Sequence, residues 1–181
     1  MKRILLISLL LVIAVSLSFS QIAYKKGDQV VNLGFGLGGL ASAYGSSGIA
    51  ITGGYEYGVN ENISVGGVLG FSSSTEDWYS GQYKYTYILI GARGSYHYDL
   101  FHNPNIDTYG GLLVGYNIVS SSWTWANGYS SANWITPSNS SSYLEFGLFV
   151  GGRYYFDPHW AVQAELGYGL GILNIGIAYK L

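Results

Sequence analysis

Leu173-Asn174-Ile175-Gly176-Ile177-Ala178-Tyr179-Lys180-Leu181 is the stretch that decides the fold. Every odd position is apolar and every even position is small or polar, up to the last residue. A period of two is the pattern of a β-strand with one apolar face and one small or wet face. The same alternation recurs upstream, in residues 31–37, 49–57 and 63–71, at intervals of about 20 residues. At that spacing the 161 residues after position 20 hold eight such strands.

Composition states where the apolar faces point. Only 10% of residues are charged, against about 25% in ordinary soluble domains. Such a chain lacks the charge to coat a soluble globule. Yet 27 glycines interrupt its apolar runs, so transmembrane helices are a poor fit. A closed barrel is the other structure that satisfies its backbone inside a bilayer. The expected architecture is therefore an all-β, eight-stranded antiparallel up-and-down transmembrane barrel. A Tyr-rich soluble sandwich is the competing reading.

The first twenty residues read as an export signal. Lys2 and Arg3 precede twelve apolar residues, Ile4 to Val15, and Ser18 and Ser20 supply small residues for cleavage before Gln21. Twelve residues are too few to cross a bilayer as a helix, although an uncleaved anchor is the alternative. Without that segment six Lys/Arg stand against ten Asp/Glu, a net charge of −4, which argues against a nucleic-acid partner. The absence of cysteine excludes a disulfide framework, a lipid-modified cysteine and thiol catalysis.

Parity assigns faces along the rest of the chain. In residues 83–98, Ile88, Ile90, Ala92, Gly94, Tyr96 and Tyr98 read outward, which puts Arg93 and His97 inside. Residues 144–156 set Leu144, Phe146, Leu148, Val150, Tyr154 and Phe156 against Glu145, Gly147, Gly151 and Arg153. Residues 160–168 set Trp160, Val162, Ala164, Leu166 and Tyr168 against Gln163, Glu165 and Gly167. Residues 108–119 are ambiguous, because Leu112 and Leu113 oppose each other. Compact turns are expected at 57–62, 99–106 and 156–160, with long connections at 38–48, 72–82 and 120–142 and a tight one at 169–171. Tyr55, Tyr57, Tyr96, Tyr98, Tyr154, Phe156, Trp160 and Tyr179 then form one aromatic belt, and Phe71, Tyr85, Tyr116 and Tyr168 the other.

On these residues the chain resembles the small OmpA/OmpX-like outer-membrane barrels. The likeness is carried by residues 91–98 (GARGSYHY), Tyr109-Gly110-Gly111, residues 164–169 (AELGYG) and the closing Tyr179-Lys180-Leu181. It implies residence in the outer membrane of a Gram-negative bacterium, outer-membrane lipids as surroundings, and a monomer. It also implies that the final strand, through Leu173, Ile175, Ile177, Tyr179 and Leu181, is the signal read by the outer-membrane assembly machinery. Many relatives end in Phe, and Leu181 keeps the hydrophobicity without the ring.

Three sets of residues are candidates for function. Glu56, Arg93, Glu145, Arg153 and Glu165 face inward, where an eight-stranded barrel has room for side chains only. They are expected to form a hydrogen-bonded network, with Arg93 and Arg153 on Glu56 and Glu165, and Glu145 nearer the outer rim. Inward glycines such as Gly34, Gly66, Gly147 and Gly151 leave open a narrow water path, hence a pore reading. External aromatics, Trp78, Trp123, Trp125, Tyr129 and Trp134, lie in a Ser/Asn frame that suits a surface glycan or protein. The plainer alternative is that Trp123 and Trp125 merely prolong a strand. Catalysis is the least supported: lipid-modifying enzymes of this shape need a nucleophile, a His base and an acid, and only Ser95 and His97 share a face, with Glu56 the nearest carboxylate. His97, His102 and His159 match no compact metal set, and no cofactor is expected.

Overall fold

Eight strands close into a single barrel in the computed structural model, which describes residues 23–38, 49–79, 81–125 and 138–181. They are β1 (Gln29–Leu37), β2 (Ile49–Gly58), β3 (Ile63–Trp78), β4 (Gly81–His97), β5 (Ile106–Trp125), β6 (Ser138–Tyr155), β7 (Trp160–Tyr168) and β8 (Leu173–Lys180). Each pairs antiparallel with its sequence neighbour, and β8 pairs with β1. Closure removes the edges that an open sheet would expose to lipid.

Alternation produces the two surfaces. β1 alternates exposed and buried along its whole length, with Leu33, Phe35 and Leu37 outward and Asn32, Gly34 and Gly36 inward. The fifth strand resolves its ambiguity in the same way. Leu112 is 64% exposed on the lipid face and Leu113 is 3% exposed in the lumen. The start of β1 and the end of β8 lie at one end, the periplasmic end in this layout.

The strands differ in length, and this departs from the sequence reading. Residues 72–82 and much of 120–142 are not long loops. β3 continues to Trp78, which pairs with Gly81 at the start of β4, β5 continues to Trp125, and β6 starts at Ser138. The β3–β4 register runs unbroken from Ile63↔Tyr96 to Trp78↔Gly81. The described pairing of β2 with β3 ends at Ala50↔Ser72, so the rest of β3 rises beyond the described part of β2. The four middle strands thus stand above the barrel as a raised sheet. The serines and threonines of these stretches read as loop, yet they pair as regularly as the apolar rows below.

Inside, the barrel has two layers. Ala50, Val68, Tyr87, Leu89, Tyr109, Leu113, Val119, Phe149 and Leu170 form one buried apolar cluster across the outer half. Leu170 reaches it from the β7–β8 turn, where Gly169 (φ 117°) and Gly171 (φ 155°) take positive φ and fold the turn inward. Polar and charged residues fill most of the periplasmic half, beside a smaller apolar cluster of Ala23, Val30, Tyr155, Ala161 and Ala178. Beneath them Ala23 and Tyr24 are buried, closing the periplasmic mouth.

Candidate functional site: the lumen network and the raised sheet

Strand register sets the charged layer. Glu56 on β2 pairs with Gly66 on β3, and Gly66 pairs with Arg93 on β4. Tyr109 on β5 likewise pairs with Gly151 on β6, and Gly151 with Glu165 on β7. In both rows a glycine separates two long polar side chains. A Cβ added at Gly151 would lie 2.8 Å from Cγ of Glu165 and 3.1 Å from the Tyr109 ring. These inward glycines therefore let neighbouring side chains meet rather than leaving room for water, which corrects the sequence reading. The same holds at Gly34, where an added Cβ would meet Oδ1 of Asn174 at 2.5 Å.

Two linked groups result. Arg93 donates from Nη2 to Oε1 of Glu165 (2.8 Å), which also accepts from the Tyr109 hydroxyl (2.8 Å). Arg153 donates from Nη2 to Oε1 of Glu56, from Nη1 to Oδ2 of Asp107 (3.4 Å) and from Nε to Gln163 (3.1 Å). The other Glu56 oxygen accepts from Ser64 Oγ (3.0 Å). Ser64 Oγ lies 3.0 Å from His97 Nε2, and His97 Nδ1 lies 2.7 Å from Asp107 Oδ1. The ring Asp107–His97–Ser64–Glu56–Arg153 thus closes on itself. Arg93 Nε stands 3.9 Å from Glu56 and joins the two groups. The Arg153 and Arg93 guanidiniums also approach the Tyr109 ring, at 4.6 and 5.8 Å from its centroid.

Of the inward residues named from sequence, Glu56, Arg93, Arg153 and Glu165 come together, and Glu145 does not. Glu145 lies higher in the lumen, level with Gly115 between Leu113 and Val119 of the apolar cluster; nearby, Asn117 Nδ2 donates to the Tyr143 hydroxyl (3.1 Å). The sequence reading missed Asp107, which lies one residue before the strand expected from 108 and inside the observed β5, and Ser64, one among many serines. It looked for a carboxylate near His97 and found only Glu56. The serine facing His97 is Ser64, not Ser95. Tyr24 was also missed: its ring lies parallel to His97, centroids 3.6 Å apart, and its hydroxyl donates to the Ile63 carbonyl (2.7 Å). Burial, with the charge of Glu56 second, pushes the Tyr24 phenol up to about 12.

Of the aromatics at the other end, Trp123 and Trp125 follow the plainer alternative and prolong a strand, and Tyr85 departs from its expected place. Trp78 ends β3 and is 62% exposed, but Trp123 and Trp125 are strand residues whose parity carries on the lumen face upward. Tyr85, expected in the lipid-facing belt, is on that same face between Tyr83 and Tyr87. Tyr83 and Trp123 pack with centroids 4.6 Å apart, and Trp123 and Trp125 at 5.6 Å. Tyr129 and Trp134 lie outside the described residues, as do the export signal and residues 39–48. At the chain end Leu173, Ile175, Ile177 and Tyr179 lie on β8, and Leu181 follows it, exposed.

The sequence matches the family described as "Outer membrane protein beta-barrel domain" over residues 7–177. Among solved structures it is similar to OprG from Pseudomonas aeruginosa, at 14% identity and a TM-score of 0.57, covering 88% of this chain and 99% of that one. It is similar to Neisserial surface protein A at 15% identity and 0.55, covering 85% and 94%. It is also similar to Ail, the attachment invasion locus protein of Yersinia pestis, at 16% and 0.54, covering 86% and 99%. No curated protein matches the sequence.

Proposed function

The chain belongs to the outer membrane β-barrel family, and from that membership we propose that it is a surface-contact protein whose raised sheet meets a partner outside the cell. The observation that carries this reading is the pairing of a filled lumen with a sheet extended well beyond the shorter strands. The apolar layer across the outer half offers an ion nothing to replace its hydration. The void between Leu113, Phe149, Glu165 and Leu170 is about 10 Å³, at the lower limit for a single water. A narrow pore for small solutes or ions is the rival reading, and the polar layer alone would suit it.

Catalysis fits less well, even though Ser64, His97 and Asp107 have the connectivity of a nucleophile, base and acid. Ser64 is fully buried and its hydroxyl hydrogen goes to Glu56, while the Tyr24 ring covers His97. A serine nucleophile must give its proton to the base and meet a substrate. We read this cluster as scaffold.

The same reading takes residues 1–20 as an export signal removed before Gln21. It takes the β8 segment ending at Leu181 as the mark for assembly, and the barrel as a monomer in outer-membrane lipid. The test pairs one measurement on the refolded protein with one on cells that display it. Single-channel recording is expected to show no current steps. Adhesion of cells displaying the barrel to glycoprotein-coated surfaces is expected to fall when residues 73–79 and 81–85 are replaced by a short turn. Discrete current with unchanged adhesion would instead establish the pore.

A further inference from the structure

We propose that the lumen-side face of the raised sheet binds an uncharged oligosaccharide, an inference that rests on the surface-contact reading and names its ligand class. Three observations converge on this face. Tyr85, Tyr83, Trp123 and Trp125 form a continuous run of rings above the apolar layer, with successive centroids 5.9, 4.6 and 5.6 Å apart. Rings of this kind offer flat apolar surfaces to the C–H faces of a sugar, the arrangement of a site built from aromatics and a few placed polar groups.

Around the rings the same parity presents hydroxyls and amides. Ser121 lies on β5, and Asn139 and Ser141 are exposed on β6. The indole N–H groups of Trp123 and Trp125 are buried with no acceptor among the described residues. An apolar protein patch laid on this face would strand those two donors, whereas a hydroxyl-rich ligand supplies acceptors for them after a small shift.

Charge then narrows the ligand. Among the described residues of this face above the apolar layer, Glu76 carries the charge, opposite Tyr83 in register, while Glu145 is buried lower down, level with Gly115 between Leu113 and Val119. Lys84 and Asp77 have the opposite parity and point away. A carboxylate accepts a pair of sugar hydroxyls well and repels sulfate and uronate, so an anionic glycan is disfavoured. This separates the chain from Ail, one of whose structures holds a heparin analogue.

The test follows tryptophan fluorescence of the full-length refolded protein in a sugar-free detergent. The probes are maltohexaose, N-acetylchitotetraose and a sulfated heparin octasaccharide. One of the neutral probes is expected to quench with saturation, and the sulfated one is not. Trp123→Ala is expected to weaken that binding at least tenfold, while Trp160→Ala, in the periplasmic belt, leaves it unchanged. Trp123→Phe, which keeps a ring, guards against loss of folding and is expected to retain most of the affinity. Preferential binding of the sulfated probe, no binding of either neutral one, or an unchanged Trp123→Ala overturns the proposal. Periodate treatment of the coated surface separates the two levels of inference. Adhesion that survives removal of vicinal diols ends the glycan assignment and keeps surface contact, whereas no adhesion before treatment ends both.

Discussion

The two halves of the lumen solve one packing problem in opposite ways. The periplasmic half is filled mainly by charges that close a ring of hydrogen bonds, and the outer half mainly by apolar side chains. In the lower layer each group depends on partners from other strands: Arg153 on β6 is held by Glu56 from β2 and Asp107 from β5. In the upper layer Leu113 and Phe149 contribute through area and fit. The lower half therefore specifies which strands sit where, and the upper half seals.

The largest expected effect comes from breaking the ring. Arg153→Ala leaves Glu56 and Asp107 buried without their main cation, which costs about 3–5 kcal/mol. The check is the urea midpoint of refolding in micelles, read by the heat-modifiable gel band. A loss under 1 kcal/mol would show that the charges are solvated by water, contrary to a filled lumen. Next comes the seal. Phe149→Ala is expected to cost about 3 kcal/mol by leaving a cavity. Unlike the Arg153 variant, it should also admit flickering current in planar bilayers. Current from Arg153→Ala but none from Phe149→Ala would reverse the assignment of the two layers.

How far the sequence reached follows from the same contrast. Outward faces were legible because lipid demands apolar residues at every second position, and the inward charges Glu56, Arg93, Arg153 and Glu165 were legible by parity. The apolar seal was not. A strand that is apolar on both faces loses its alternation, and Leu112-Leu113 reads as noise until one is lipid-facing and the other inside. Asp107 was hidden because the strand was expected to begin at 108, whereas β5 begins at Ile106. The height of β3 to β6 was hidden because Ser72-Ser73-Ser74 and Ser138 to Ser142 carry no hydrophobic period, although their backbones pair in register. Where the solvent is water on both faces, register is written in the neighbouring strand, not in the strand itself.

Two adjacent glycines sharpen the contrast between lumen and wall. Gly151 points inward, where an added methyl meets Glu165 and Tyr109, and Gly152 points outward, where the nearest atoms stand at 3.5 and 3.8 Å. Gly151→Ala is expected to cost about 1–3 kcal/mol through displacement of the Glu165 carboxylate. Gly152→Ala should stay within about 0.5 kcal/mol. Unfolding midpoints of the pair, measured side by side, decide it. Equal costs would mean that the lumen row is looser than its register implies.

The smallest effect concerns the floor beneath the charged ring. Tyr24 keeps its proton up to about pH 12 when folded, against 10.0 for the free phenol. The folded state thus holds that proton more tightly. Its contribution is complete below pH 10, and it drains away as pH rises from 10 toward 12, while the unfolded chain is already ionised. Tyr24→Phe removes this dependence together with the hydrogen bond to Ile63, a bond worth about 1 kcal/mol. Wild type should therefore be the more stable of the two at pH 9, and the gap should narrow steadily toward pH 12. Subtracting one titration from the other cancels the remaining tyrosines. A gap that stays constant with pH would mean that water already reaches the Tyr24 hydroxyl, and the ring above it would then be open to the periplasm rather than roofed.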